Sequence, residues 1–138
     1  MTVKQISVFI ENKPGTMVNI TDALGRCGVD IRAMSLADTQ DFGILRLIVN
    51  DTEKARSALS AIGCVTSLTD VIAAELPDTP GAMSGMVHLL AENNINIEYM
   101  YAFISSDKKA YVVLRIKDTA KAVEVLNRSN ITLAGEIN

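Results

Sequence analysis

The stretch VKQISVFIE, residues 3 to 11, alternates apolar and polar positions so that Ile6, Val8 and Ile10 share one face, and this period of two predicts a strand. After a Pro-Gly step, Met17, Ile20 and Leu24 recur at helical spacing and predict an amphipathic helix. GVDIRAMSLA and ILRLIVN read as second and third strands. DTEKARSALSAI reads as a second helix with Asp51 as N-cap and with Ala55, Leu59 and Ile62 turned inward. A short fourth strand is expected near Cys64 to Leu68, closing a unit.

The same plan then returns. At an offset of 66, Ile6, Pro14, Gly15, Met17, Leu24, Ile31 and Met34 meet identical residues at Ile72, Pro80, Gly81, Met83, Leu90, Ile97 and Met100. Beyond that the offset is 67, and Leu47, Asp51, Thr52, Lys54, Ala55 and Leu59 meet Leu114, Asp118, Thr119, Lys121, Ala122 and Leu126. The slip of one residue is expected in the hairpin around Thr39 to Phe42 and Ser105 to Lys109, where a loop absorbs it. In the second copy, 71–76 is the weaker first strand, Met83, Met86, Val87 and Leu90 mark the first helix, and NINIEYMYAFI and AYVVLRIK are strands two and three. DTAKAVEVLN is the second helix, with Asp118 as N-cap, and a last strand is expected near Ile131 to Ile137.

The order strand, helix, strand, strand, helix, strand predicts an α+β fold: two tandem ferredoxin-like βαββαβ units, each an antiparallel sheet with both helices on one face and the other face open. The expected domains are 1–69 and 70–138. No Pro- or Gly-rich linker separates them, and SLTDVIAAEL runs from the last strand of one almost directly into the first strand of the next.

Composition narrows the function. Thirteen basic and 16 acidic residues, interspersed, give a net charge of −3 and no electrostatic reason to bind nucleic acid or anionic lipid. The amino terminus lacks an apolar core of signal-peptide length and no apolar run is long enough to cross a bilayer, so a cytoplasmic location is expected. Cys27 and Cys64 stand alone and His88 is the single histidine, so each thiol reads as buried and structural, and no metal or other cofactor is implied.

The Pro-Gly steps admit two readings. Pro-Gly after a strand is an ordinary way to begin a helix. The amides that follow, at Thr16, Met17 and Val18 and again at Ala82 and Met83, also lie at the positive end of a helix dipole, where they can hold a carboxylate. Asn12 and Asp78 precede the two steps and can hydrogen-bond an ammonium or amide of the same ligand. A zwitterionic amino acid suits both partners. At the start of strand two, GVDI and NINI place Asp30 beside Ile31 and Asn96 beside Ile97, in a part of this fold that can lie at a contact between units.

ENKPGTM followed by GVDIRAMS resembles the signature of the ACT domain family, in which a polar residue, a variable residue and Pro-Gly are followed about a dozen residues later by Gly-Val-Asn-Ile. The resemblance covers the whole chain as two tandem ACT units. It implies a regulatory, non-catalytic module that binds an amino acid between paired units. One contributing set would be Asn12, Pro14 and Gly15 with Asp30 and Ile31, the other Asp78, Pro80 and Gly81 with Asn96 and Ile97. Asp30 and Asp78 depart from the pattern and add carboxylates, which points to unequal sites. Met17, Ile31, Met83 and Ile97 favour a ligand with an uncharged side chain.

The open faces differ between copies. Ala33, Ser35 and Ala37 become Tyr99, Tyr101 and Phe103, and Tyr111 on strand three joins them. Clustered aromatics mark a contact surface. Packing between copies or across a dimer is one account. Base stacking, supported by Lys108, Lys109, Arg115 and Lys117, is another, although KKAYVVLRI lacks the glycine-aromatic core of an RNA-binding strand. Catalysis would need an activated nucleophile or an acid–base pair, and His88 has Asp22 rather than histidine at its counterpart. Ile44 and Ile48 alternate with Leu45 and Leu47, so strand three is apolar on both faces and self-association as a homodimer is expected. The second reading is an interaction subunit of an amino-acid metabolic enzyme that has lost its ligand.

Overall fold

The computed structural model describes residues 1–38, 40–105 and 109–137. Its elements are β1 (Val3–Glu11), α1 (Thr16–Arg26), β2 (Ile31–Asp38), β3 (Phe42–Val49), α2 (Thr52–Ala61), β4 (Val65–Leu76), α3 (Ala82–Glu92), β5 (Tyr99–Ile104), β6 (Ala110–Arg115), α4 (Thr119–Arg128) and β7 (Thr132–Leu133). Two compact units result, Lys4–Thr69 with Ile137, and Asp70–Glu136 with Met1–Val3. Each has the βαββαβ order, with antiparallel sheets.

In the first unit the strand order is β2-β3-β1-β4. Val8 faces Leu45 and Ile6 faces Leu47 across β1 and β3. With Ile10, Ile20, Leu24, Ala55 and Leu59 they form one core, which the two helices cover. In the second unit the order is β5-β6-β4, with β7 beside β4. Ile72, Ala74, Val112 and Leu114 meet Met86, Leu90, Ala122, Val125 and Leu126 in the equivalent core. Both helices that follow Asp are capped as their sequences predict: Asp51 Oδ1 accepts the Lys54 amide at 3.0 Å, and Asp118 Oδ1 accepts the Lys121 amide at 3.1 Å.

The hairpin registers locate the repeat slip. Asp38 pairs with Gly43 and Ile104 with Ala110, so four residues (39–42) separate the strands in one copy and five (105–109) in the other. Thr39 and Ser106 to Lys108 in these loops lie outside the described residues.

Several expectations need correction. The last strand of the first unit and the first strand of the second are one strand, β4, without a break over 12 residues. The closing strand of the second unit is only Thr132–Leu133, with a bend at Gly135. Strand two of that unit begins at Tyr99, so Asn96 and Ile97 precede it. In the first unit the Asn50 side chain accepts the Asp30 amide at 2.8 Å and extends the pairing, whereas the counterpart of Asn50 is Lys117, which has no acceptor. Ile62 is exposed because it is the C-cap of α2, where the chain leaves the helical face, and Val87 falls at the rim of the α3 apolar face.

The face away from the helices is not open throughout. Gln5, Ser7, Ala33 and Ile48 are buried on it in the first unit, and Val71, Ala73 and Val113 in the second. Alternation reports which residues share a face, not what covers it. Gln5, entirely buried, donates from Nε2 to Ser7 Oγ at 3.4 Å. Neither thiol is fully buried as expected: Cys27 is exposed, since it is the C-cap of α1, and Cys64 is half-buried.

Candidate functional site

Pro14 and Pro80 stand outside their helices, and Gly15 and Gly81 are the N-caps, at φ 90° with ψ −18° and −14°. The glycine turns the chain into the helix through the left-handed region that L side chains rarely adopt. Neither helix has a side-chain cap. Thr16 N–H and Ala82 N–H make only long turn bonds, to Lys13 O at 3.4 Å and Thr79 O at 3.3 Å. The next amides, at Met17 and Val18 and at Met83 and Ser84, have no intrahelical acceptor. A Cβ placed on either glycine meets nothing within 4 Å, so the space over each cap is open.

The surroundings of the two caps differ. At the first, a cavity of about 500 Å³ is lined by Thr16 and Asn19, by the carboxylates of Glu11 and Asp22 and by Lys13 and Arg26, with Phe9 and Ile10 beside them. Lys13 Nζ lies 3.1 Å from Glu11 and Arg26 Nη2 lies 3.8 Å from Asp22, both on the surface. At the second, a cavity of about 310 Å³ is apolar, and Asp78 is its one charged residue among those described; Ala82, Met83, Phe103 and Tyr111 also line it. Sequence reading missed Lys13, Asn19 and Arg26. Asn19 and Arg26 could have been found from the polar stripe Asn19, Asp22, Arg26 at helical spacing on α1, whereas Lys13 lies in the loop before it.

The remaining candidates lie elsewhere. Asn12 is exposed and its amide donates to Asp41 O at 2.9 Å. Asp30 pairs with Arg32 Nη1 at 2.9 Å. Ile31 and Met17 pack on the first core, Ile97 and Met83 on the second. Asn96 lines a separate cavity of about 250 Å³ with Glu98, Lys117, Asp118 and Lys121. Asn96 precedes β5, whose first residue Tyr99 pairs with Arg115, whereas Phe103 at the Pro-Gly cavity pairs with Tyr111 toward the other end of the same strand, so the second unit does not bring its Pro-Gly loop to its own strand-two start.

Tyr99, Tyr101 and Phe103 are half-buried, share a face of β5, and Phe103 stacks on Tyr111 with centroids 5.4 Å apart and planes 16° from parallel. Of the basic residues near them, Lys109 lies 3.7 Å from Glu75 and Arg115 donates to Ile116 O at 2.9 Å, while Lys108 is outside the described residues. His88 is exposed. Burial raises the Cys64 thiol above its ordinary value. No group of residues able to hold a metal occurs among those described, and no helix of these is long and apolar enough to cross a membrane.

Paired βαββαβ units, each opening on a glycine-capped helix, define a tandem ferredoxin-like protein. The chain belongs to the family described as an ACT domain pair, which matches residues 1–138. It is similar to the solved structure of protein BT0572 from Bacteroides thetaiotaomicron, at 36% identity over 97% of this chain and 92% of that one, with a TM-score of 0.91. The regulatory subunit of aspartate kinase from Thermus thermophilus, in a ligand-free form, shares the fold at 18% identity and a TM-score of 0.64, covering 91% of this chain and 90% of that one. The corresponding subunit from Thermus flavus gives 19% and 0.62, with 92% of each chain covered. No protein of curated function matches.

Proposed function

We propose that this chain is a non-catalytic sensor of a free amino acid, with the ligand held where the Pro-Gly loop of one ACT unit meets the strand-two start of another. The observation that carries the reading is the contrast among the four helices. Two are capped by aspartate, whereas the two after Pro-Gly begin at a left-handed glycine, with no side-chain cap and open space above. Amides left free at a helix start suit a carboxylate.

In this reading the Met17 and Val18 amides and Lys13 take the carboxylate, while Asn12 and, from another unit, Asp30 or Asn96 take the ammonium. The first loop is the stronger site, because the carboxylates of Glu11 and Asp22 in its cavity are balanced by Lys13 and Arg26, whereas Asp78 opposes an anion at the second without a cation in the lining. The separation within the second unit between loop and strand-two start supports a site shared between units. The exposed apolar residues of the outermost strands, Met34 and Leu36 on β2 and Met100 and Ile104 on β5, favour a homodimer as the assembly that supplies them. Ligand binding then biases how units pair, and an amino-acid metabolic enzyme in the cytoplasm reads the change allosterically.

A thermal-shift screen against the twenty amino acids, followed by calorimetry, tests this. One amino acid is expected to stabilise the protein by about 2.7 kcal/mol at a hundredfold excess over its Kd, and Gly15→Val to abolish the response. Stabilisation by none of the twenty overturns the sensor reading in favour of an interaction subunit.

A further inference from the structure

The two units place opposite kinds of side chain at one equivalent spot. On the helix-free face of the second, Glu75, Tyr111 and Phe103 form a row across β4, β6 and β5. The aromatic pair occupies its centre, stacked at 5.4 Å, and the Glu75–Lys109 ion pair at 3.7 Å flanks it. On the first unit the same row is Phe9, Ile44 and Ala37 across β1, β3 and β2, with Phe42 at the counterpart of Lys109. Here the centre is small and aliphatic and the flanks are aromatic.

A cavity of about 450 Å³ lies at this row, lined by Phe9, Ala37, Phe42 and Ile44 with Ile10, Glu11 and Gly43. Phe9 is 52% and Phe42 64% exposed, a large apolar area for two rings on one small surface. The volume is that of a small-molecule site. Gly43 closes the floor: a Cβ there comes within 3.2 Å of Ile10 Cγ1 and 3.3 Å of Ala37 O, so that side is packed already and the room is over Ala37 and Ile44.

We infer that this cavity binds a small molecule carrying an aromatic ring and a cationic amine, at a site that adjoins the first Pro-Gly loop cavity and shares Phe9, Ile10 and Glu11 with it. The second unit supplies the shape: where Phe103 and Tyr111 fill the row with stacked rings, Ala37 and Ile44 leave space for a ring between Phe9 and Phe42. The charge follows from Glu11, the one charged residue among the described residues of the lining. It faces a cationic amine and repels an anion, and its surface pair with Lys13 at 3.1 Å is a weak competitor. The flanking phenylalanine faces add attraction for a cation.

Ligand-observed NMR and calorimetry with 2-phenylethylamine on the full chain test the site, with 3-phenylpropionate as the anionic control. One amine is expected per first unit, with the acid at least about fivefold weaker. Ala37→Phe with Ile44→Tyr copies the filled row of the second unit and should abolish amine binding while leaving the amino-acid response intact. Phe42→Ser, at an exposed position, should weaken it severalfold even if the double variant does not fold. No amine binding to the unaltered chain, equal binding of the acid, or an amine affinity unchanged by Phe42→Ser overturns the inference. Gly15→Val, which removes the amino-acid response in the proposed function, is expected to leave the amine bound.

Discussion

Gly15 and Gly81 stand 66 residues apart and hold the same left-handed backbone, φ 90° at each. Nothing lies within 4 Å of a Cβ built on either, so alanine meets strain without a clash. Gly15→Ala and Gly81→Ala should each lower stability by about 1–2 kcal/mol, seen as a lower urea midpoint at unchanged slope. A loss above about 4 kcal/mol would mean close packing at these positions, against the open space over the caps.

Asp51 and Asp118 make the same cap bond in the two units. Asp51→Ala and Asp118→Ala should each cost about 1 kcal/mol, and the double variant about the sum. Equilibrium denaturation of the three variants gives the comparison.

Leu59 and Leu126 are fully buried, one in each core, whereas Ile62 and Val87 are 45% and 36% exposed. Leu59→Ala or Leu126→Ala should cost about 2–5 kcal/mol, and Ile62→Ala or Val87→Ala less than about 1. Calorimetric melting of the four variants separates the groups.

Much of this was readable in the chain, for a physical reason. Ile6, Val8 and Ile10, and Ile20 with Leu24, carry the two periods that decide strand and helix, and the repeat supplies each signal twice. Asp51 and Asp118 were readable because a cap is local chemistry. Ile62 and Cys27 were not, since a C-cap residue leaves the helical face at an angle that periodicity does not encode. Gln5 and Ser7 were not either, because a polar residue in an alternating strand reads as solvated unless its covering is known. In the site, Pro-Gly was plain, but the conformation of Gly15 and the approach of Lys13 and Arg26 depend on the folded loop.

Burial raises the Cys64 thiol above its ordinary 9.0 because the thiolate loses solvation. The fold therefore favours the neutral form. Stability from this group is fully present below pH 9.0 and is lost as pH rises through the higher folded value. Cys64→Ser should flatten the decline in denaturation midpoint above that pH, and Cys64 should react with iodoacetamide more slowly than exposed Cys27, read by mass spectrometry.

Asp78 is the one charge among the described residues lining the second loop cavity. Asp78→Asn should raise affinity for the ligand carboxylate there several-fold, measured as a second set of sites in calorimetry. An unchanged isotherm would show that Asp78 does not set the inequality of the two loops.

β4 runs unbroken across the boundary between the two units at Thr69 and Asp70. A fragment ending at Thr69 therefore stops in mid-strand, and each half loses the continuation of β4 that the intact chain gives it.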